Sequence, residues 1–254
     1  MINKKIILIG ILLSFLLVLP SFSEDLSSVA SAKGDLSLQD IIQNIQSNQS
    51  QIKDLYAETT TTITSNMALP GAKDKGPQAM VQKGRMWTKG RDKSKIEIIS
   101  PTRQTTITNG DKITIINPDS GQTFTQDLSK MREQAGIPKG GSMDLSKALD
   151  SFYMSIEQRE DQYVLIGKPK QPNKFLGKME FYIDVNRWLP VKILIYTPTD
   201  KIMNITEMDY KEISGIWITV ETSSTAITPM GAIKTQMVLE NIKINQGISD
   251  SEFK

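Results

Sequence analysis

The stretch KMEFYIDVNRWLPVKILIY, residues 178–196, decides the fold. Both halves alternate: Met179, Phe181 and Ile183 share one face, and Glu180, Tyr182 and Asp184 the other. Val191, Ile193 and Ile195 repeat the pattern opposite Lys192. Alternation with a period of two is the mark of a strand, because successive side chains leave a pleated backbone on opposite sides. Asn186-Arg187 sits between the halves as a turn. The unit is therefore an antiparallel hairpin with one apolar face and one wet face.

The same signature extends in both directions. Toward the C-terminus come DKIMNITEMDY, IWITVETSST and AIKTQMVLENIKI, punctuated by Pro198, Ser214-Gly215 and Pro229-Met230-Gly231. QYVLIGKP precedes the hairpin, and further upstream lie AETTTTITS, MVQKGRMWTKG, KSKIEIIS, RQTTITN, KITIIN and QTFTQ. Ile113 and Ile115 alternate with Lys112 and Thr114, although Ile116 breaks the pattern. Thr108-Asn109-Gly110-Asp111 places an Asn-Gly pair where a tight turn needs positive φ, and Pro118-Asp119-Ser120-Gly121 marks another turn. Strands recur every dozen residues or so without long crossovers, which predicts an antiparallel meander of about eleven strands around one core. The fold class is mainly β with helices, α+β, the helices covering the apolar side.

Three helices are expected. The first begins at Ser37, with Asp40 completing a weak capping box, and carries the stripe Leu38, Ile41, Ile42, Ile45, Ile52, Leu55 and Tyr56. A short one over 127–136 is suggested by Leu128 and Met131. The third, over 143–156, rests on Leu145, Ala148, Leu149, Phe152 and Ile156, spaced i, i+3, i+4, i+7 and i+11. Residues 66–79 and 137–142, rich in Gly and Pro, read as loops.

The N-terminus has another character. Residues 1–23 combine Lys4 and Lys5, an apolar run from Ile6 to Leu19, Pro20, and the small residues Ser21 and Ser23. The run is shorter than the ~20 residues a spanning helix needs and reads as a cleaved export signal. Residues 24–35 are polar and small, a flexible linker, and 36–254 form the folded domain. Export into the periplasm of a two-membrane cell is the expected localisation.

Composition narrows the chemistry. Lys plus Arg is 30 and Asp plus Glu 28, a formal charge of +2 that falls to zero without Lys4 and Lys5. A neutral chain without a basic block is a poor partner for nucleic acid. There is no Cys and no His. Disulfides, thiol nucleophiles and a Ser-His-Asp triad are thereby excluded, and the commonest metal ligand is missing. Glu157, Glu160 and Asp161, and the pair Asp92 and Glu97, read as solvated charges, so no catalytic residue, metal or cofactor is expected. Beyond Met1 there are eleven Met, a residue over-used where a surface accepts varied apolar partners, though it also fills irregular core gaps.

Ile183-Asp184-Val185-Asn186-Arg187-Trp188-Leu189-Pro190-Val191-Lys192 resembles the strand, Asp, turn, Leu-Pro, strand element of LolA-like outer-membrane lipoprotein-sorting proteins. Tyr210 to Trp217 is similar to that family's next hairpin. The closing Ile242 to Asn245 and Ile248 to Phe253 resemble its last strand and terminal Phe, and Gly84 to Arg91 its Trp-bearing strand. The resemblance implies an unclosed antiparallel β-barrel with a helical lid over an apolar cavity, in a protein that carries lipid-anchored cargo through the periplasm. It also implies that Arg91 contacts the lid.

The expected cavity lining is Met86, Ile96, Ile98, Ile113, Ile115, Phe124, Leu145, Leu149, Phe152, Met179, Phe181, Ile183, Ile193 and Ile195. The helices 127–136 and 143–156 would be the lid and 137–142 its hinge. The expected partners are lipoprotein acyl chains or another lipid, an inner-membrane donor and an outer-membrane acceptor, with the carrier itself a monomer. The alternative on the same scaffold is a periplasmic module that senses a lipid or a protein. An enzyme acting on lipids or glycans ranks third.

Overall fold

The computed structural model describes residues 36–66, 78–90, 92–129, 151–159 and 161–254. The export segment, the linker, Arg91, Leu145 and Leu149 lie outside them, as do residues 130–150.

Helix α1, Leu38–Ser50, starts on a reciprocal cap. The Asp40 amide donates to Ser37 Oγ at 3.1 Å, and the Ser37 amide donates to Asp40 Oδ2 at 2.9 Å, satisfying two of the donors that a helix start leaves open. The helix is shorter than its stripe suggested. Chain direction changes at Gln51–Lys53, and Leu55 and Tyr56 belong to the first strand. Asn245 makes the break: its side chain accepts from the Lys53 amide at 2.8 Å and donates to the Gln51 carbonyl at 2.9 Å.

Thirteen strands follow among the described residues, not about eleven. They are β1 (Asp54–Ser65), β2 (Gln78–Lys89), β3 (Lys93–Ser100), β4 (Gln104–Asn109), β5 (Lys112–Asn117), β6 (Gln122–Asp127), β7 (Phe152–Arg159), β8 (Gln162–Pro169), β9 (Lys178–Asp184), β10 (Leu189–Tyr196), β11 (Ile202–Ile213), β12 (Ile216–Thr228) and β13 (Gly231–Ile244). Strand β7 replaces the C-terminal part of the expected helix 143–156, and Asp127 closes β6 rather than opening a helix. Phe152 and Ile156 are four apart, a spacing that puts two residues on one face in either geometry. Pairing of Ile156 with Leu165 decides for the strand, with Phe152 and Met154 inward and Tyr153 and Ser155 outward.

All strands form one antiparallel sheet in the order β6-β5-β4-β3-β2-β1-β13-β12-β11-β10-β9-β8-β7. The first and last strands pair in its middle, and β6 and β7, consecutive in sequence, are its two edges, so the sheet is not closed. The β11–β12 hairpin turns on Ser214 and Gly215, both at positive φ, which matches the twist of the flanking strands. In the β4–β5 hairpin the two loop residues are Gly110 and Asp111, while Asn109 pairs with Lys112, one position away from an Asn-Gly loop. Gly84 lies where β2 and β3 slip register, and a side chain there would collide with the Glu97 carbonyl.

Two apolar clusters form. In one, Ile41, Ile42 and Ile45 of α1 pack on Phe152, Leu165, Met179, Phe181, Ile183, Ile193 and Met208. The other gathers Leu55, Ala57, Met86, Ile218, Met237 and Leu239. After β13 the tail crosses to β2–β4: Lys89 and Lys93 reach Asp250 at 2.9 and 3.1 Å, Lys95 reaches Glu252 at 2.8 Å, and Phe253 is buried.

Asp54 ties this tail to the first strand. Its buried carboxylate accepts from the amides of Gln246, Gly247 and Ile248 at 2.8, 2.9 and 3.3 Å. Asp54→Ala would strand three amides and is expected to lower unfolding stability by about 2–3 kcal/mol, read from the urea midpoint. Asp54→Asn, which keeps an acceptor oxygen, should cost less.

Candidate ligand-binding face

Cross-strand partners share a face, so the registers follow one side of the sheet from edge to edge. Under α1, the face that we call inner, one row reads Ile156, Leu165, Phe181, Ile193, Thr206, Ser224, Thr235, Ile63 and Met80. On the opposite wing another reads Ala57, Met86, Ile96, Thr106, Ile115 and Phe124.

Every expected lining residue among those described falls on this inner face. They divide by surroundings. Phe152, Met179, Phe181, Ile183 and Ile193 are buried in the cluster beneath α1, with Ile195 packed against it. That wing is filled by the protein's own helix. Met86 and Ile113 are buried on the other wing, Ile96, Ile98 and Ile115 are half-buried, and Phe124 is 58% exposed. Apolar surface is thus available on β3–β6 rather than on β7–β10.

Sequence patterning had not singled out the middle of the face. There Thr59 and Thr61 of β1, Asn204 and Thr206 of β11, and Thr222 and Ser224 of β12 form a band of neutral polar groups between the apolar wings. The signal was the alternating Thr of AETTTTITS, which gained meaning only from its neighbours. No Asp, Glu, Lys or Arg occupies the paired inner positions in the rows from Thr59 to Ser65, among the described residues; beyond them Lys211 pairs with Ile218 of the second cluster.

A charged cluster sits on the outer face. Glu180 is 3% exposed and is met by Tyr182 Oη at 3.0 Å, Tyr196 Oη at 3.1 Å, Lys178 Nζ at 3.2 Å and Arg159 Nη1 at 3.4 Å. Burial pushes its carboxyl up, but hydrogen bonds from Tyr182, Lys178 and Tyr196 outweigh burial and hold it below the ordinary value. Burial and the Glu180 charge push the Tyr196 phenol up to about 12. Tyr210 is raised by burial, and its hydroxyl donates to the Pro190 carbonyl at 2.6 Å. At the β9–β10 turn Asp184 accepts from the Asn186 and Arg187 amides and from the Arg187 guanidinium, and Trp188 stacks on Tyr163 at 6.0 Å. Among the described residues no group of acidic side chains is placed to hold a metal, and no helix is long and apolar enough to cross a membrane.

Several solved structures share this architecture. A LolA superfamily protein from Nitrosomonas europaea matches with a TM-score of 0.58 at 13% identity, over 87% of this chain and 98% of that one. A domain assigned to outer-membrane lipoprotein sorting, from Vibrio parahaemolyticus, matches at 0.58 and 15%, over 84% and 95%. A DUF1329 family protein from Desulfovibrio piger matches at 0.62 and 16%, over 85% and 95%. A family model described only as an uncharacterized protein matches residues 144–254. No curated protein matches in sequence. At these identities the likeness is one of fold.

Glu180 yields a pH test. A lowered carboxyl adds stability above its unfolded value, and that stability is lost as pH falls through the lower folded value. The stability difference between the wild type and Glu180→Gln should therefore be full at pH 7 and shrink below about pH 4.5. Urea unfolding at successive pH values measures it, and a pH-independent difference would contradict the assignment.

Proposed function

We propose that the chain is an exported carrier that shelters the acyl chains of lipoproteins or other lipids on its inner face and moves them toward the outer membrane. The segment 1–23 directs export, 24–35 is a linker, and 36–254 is the lipid-binding domain. The observation that supports this most is the inner face itself: an uncharged wall with half-open Ile96, Ile98 and Ile115 and exposed Phe124 beside it. Such a surface is costly in water and matches a hydrocarbon tail.

The energetics suit a carrier. Each CH₂ taken from a bilayer into water costs roughly 0.8 kcal/mol, so a tail of ~15 such groups faces a barrier of about 12 kcal/mol. An apolar protein surface replaces the bilayer as solvent and removes most of it. The step makes and breaks no covalent bond, which suits a chain without His or Cys. The fold shared with lipoprotein-sorting proteins supports the same reading, with a donor at the inner membrane and an acceptor at the outer one.

Periplasmic expression, purification without detergent and mass spectrometry of the organic extract test it. The wild type should carry lipid in near-stoichiometric amount. The double variant Ile98→Asp with Ile115→Asp, which puts charge on the open wing, should carry at least about tenfold less while keeping its far-ultraviolet dichroism. Repeated failure of the wild type to bind or load any lipid would overturn the proposal.

A further inference from the structure

The polar band on the inner face contains one wholly buried hydroxyl without a partner. Thr206, 1% exposed, has its Oγ1 at 2.9 Å from Asn204 Oδ1 and 3.2 Å from Ser224 Oγ, and Asn204 Nδ2 donates to Ser224 Oγ at 3.1 Å. Those three side chains satisfy one another. One row away, Thr222 is 5% exposed and its hydroxyl has no hydrogen-bond partner. It stands in register between Met208 of β11 and Met237 of β13, members of the two separate apolar clusters. The other buried polar atom without a partner among the described residues is Gln46 Nε2, on α1.

A buried hydroxyl without a partner costs stability, and native proteins seldom keep one without reason. Valine would fill the same volume between the two methionines and suits a strand as well. Both unpaired groups can donate, and neither carries charge. The inner positions around Thr222 contain no Lys or Arg among the described residues. An anionic head group would therefore be buried there without a countercharge, which is strongly unfavourable. A neutral carbonyl oxygen meets a lone hydroxyl donor at no such cost.

We propose that Thr222 is a specificity residue of the lipid site: its hydroxyl donates to the carbonyl of an acyl ester or acyl amide, so the protein selects carbonyl-linked acyl chains over free fatty acids and alkyl ethers. This rests on the carrier reading and names its ligand class. Two sources share that chemistry, the acylated terminus of a lipoprotein and the glycerol esters of a membrane phospholipid.

The test is a fluorescence-displacement titration of the full exported chain, stripped of lipid, with four probes of equal tail length. They are a synthetic acylated lipopeptide, a diacyl phosphatidylglycerol, its dialkyl-ether analogue and the free fatty acid. The wild type should bind the ester phospholipid about tenfold more tightly than its ether analogue, the worth of one hydrogen bond in a dry site, and the fatty acid more weakly still. Thr222→Val should erase that ester-over-ether ratio and keep or raise the melting temperature. Thr222→Ser, which restores the hydroxyl, should recover the ratio. Tighter binding of the lipopeptide or of the ester phospholipid assigns the carbonyl to one source or the other. Equal affinity for ester and ether in the wild type, or a ratio that survives Thr222→Val, overturns the inference while leaving the carrier reading intact. Failure of every probe to bind overturns the carrier reading and this inference with it.

Discussion

The pairing of β1 with β13 is the constraint on which everything else depends. It runs from Leu55 opposite Ile244 to Ser65 opposite Ile233 and joins two meanders, β1–β6 and β7–β13, into one sheet. These strands are far apart in sequence, so ordering the long loop between them must be offset by the contacts made when they meet. Asp54 and Asn245 reinforce the joint from its end, one holding the tail's amides, the other fastening the helix exit to the last strand. Because the join lies in the middle, both edges fall on strands that are neighbours in sequence, and the connection 128–151 leads from one edge to the other.

From that joint follows the division of the faces. The pleat sends charge outward, where Glu180 gathers Lys178, Arg159, Tyr182 and Tyr196, and where the lysines of β2 and β3 hold the acidic tail. Inward it leaves a surface without Asp, Glu, Lys or Arg in the paired rows from Thr59 to Ser65 among the described residues. Helix α1 covers the β7–β10 wing and makes it core, while the β3–β6 wing keeps half-open isoleucines. The same pattern of residues thus serves stability on one wing and, in our reading, ligand on the other. The helix decides which is which, and its apolar stripe is indifferent to where it lands.

Much of the fold was legible in local pattern. The alternation of Met179, Phe181 and Ile183, the Ser37–Asp40 cap and the turn at Ser214-Gly215 all stand as read, because each depends on neighbours a few residues away. The misreadings occurred where two periods fit the same residues. Phe152 and Ile156 suit a helix or a strand, and only Leu165 opposite Ile156 separates them. Leu55 extends the stripe of α1 yet is the inward start of β1, a boundary set by Asn245, which is 192 residues from its partner Lys53. On the inner face, the apolar positions were legible because burial and alternation go together. The polar band was not, since a threonine in a strand looks alike on either face.

Sequence by itself determined the exclusions and the alphabet: no thiol, no imidazole, balanced charge, and strands with one apolar side. Those follow from composition and from the period of a pleated backbone, which need no knowledge of partners. Only the tertiary structure decided that Thr222 stands in register between Met208 and Met237 with nothing to bond, that α1 claims one wing, and that the sheet remains open between β6 and β7. Register between distant strands is set by the sum of all their contacts, and a slip of one residue would turn every side chain to the other face.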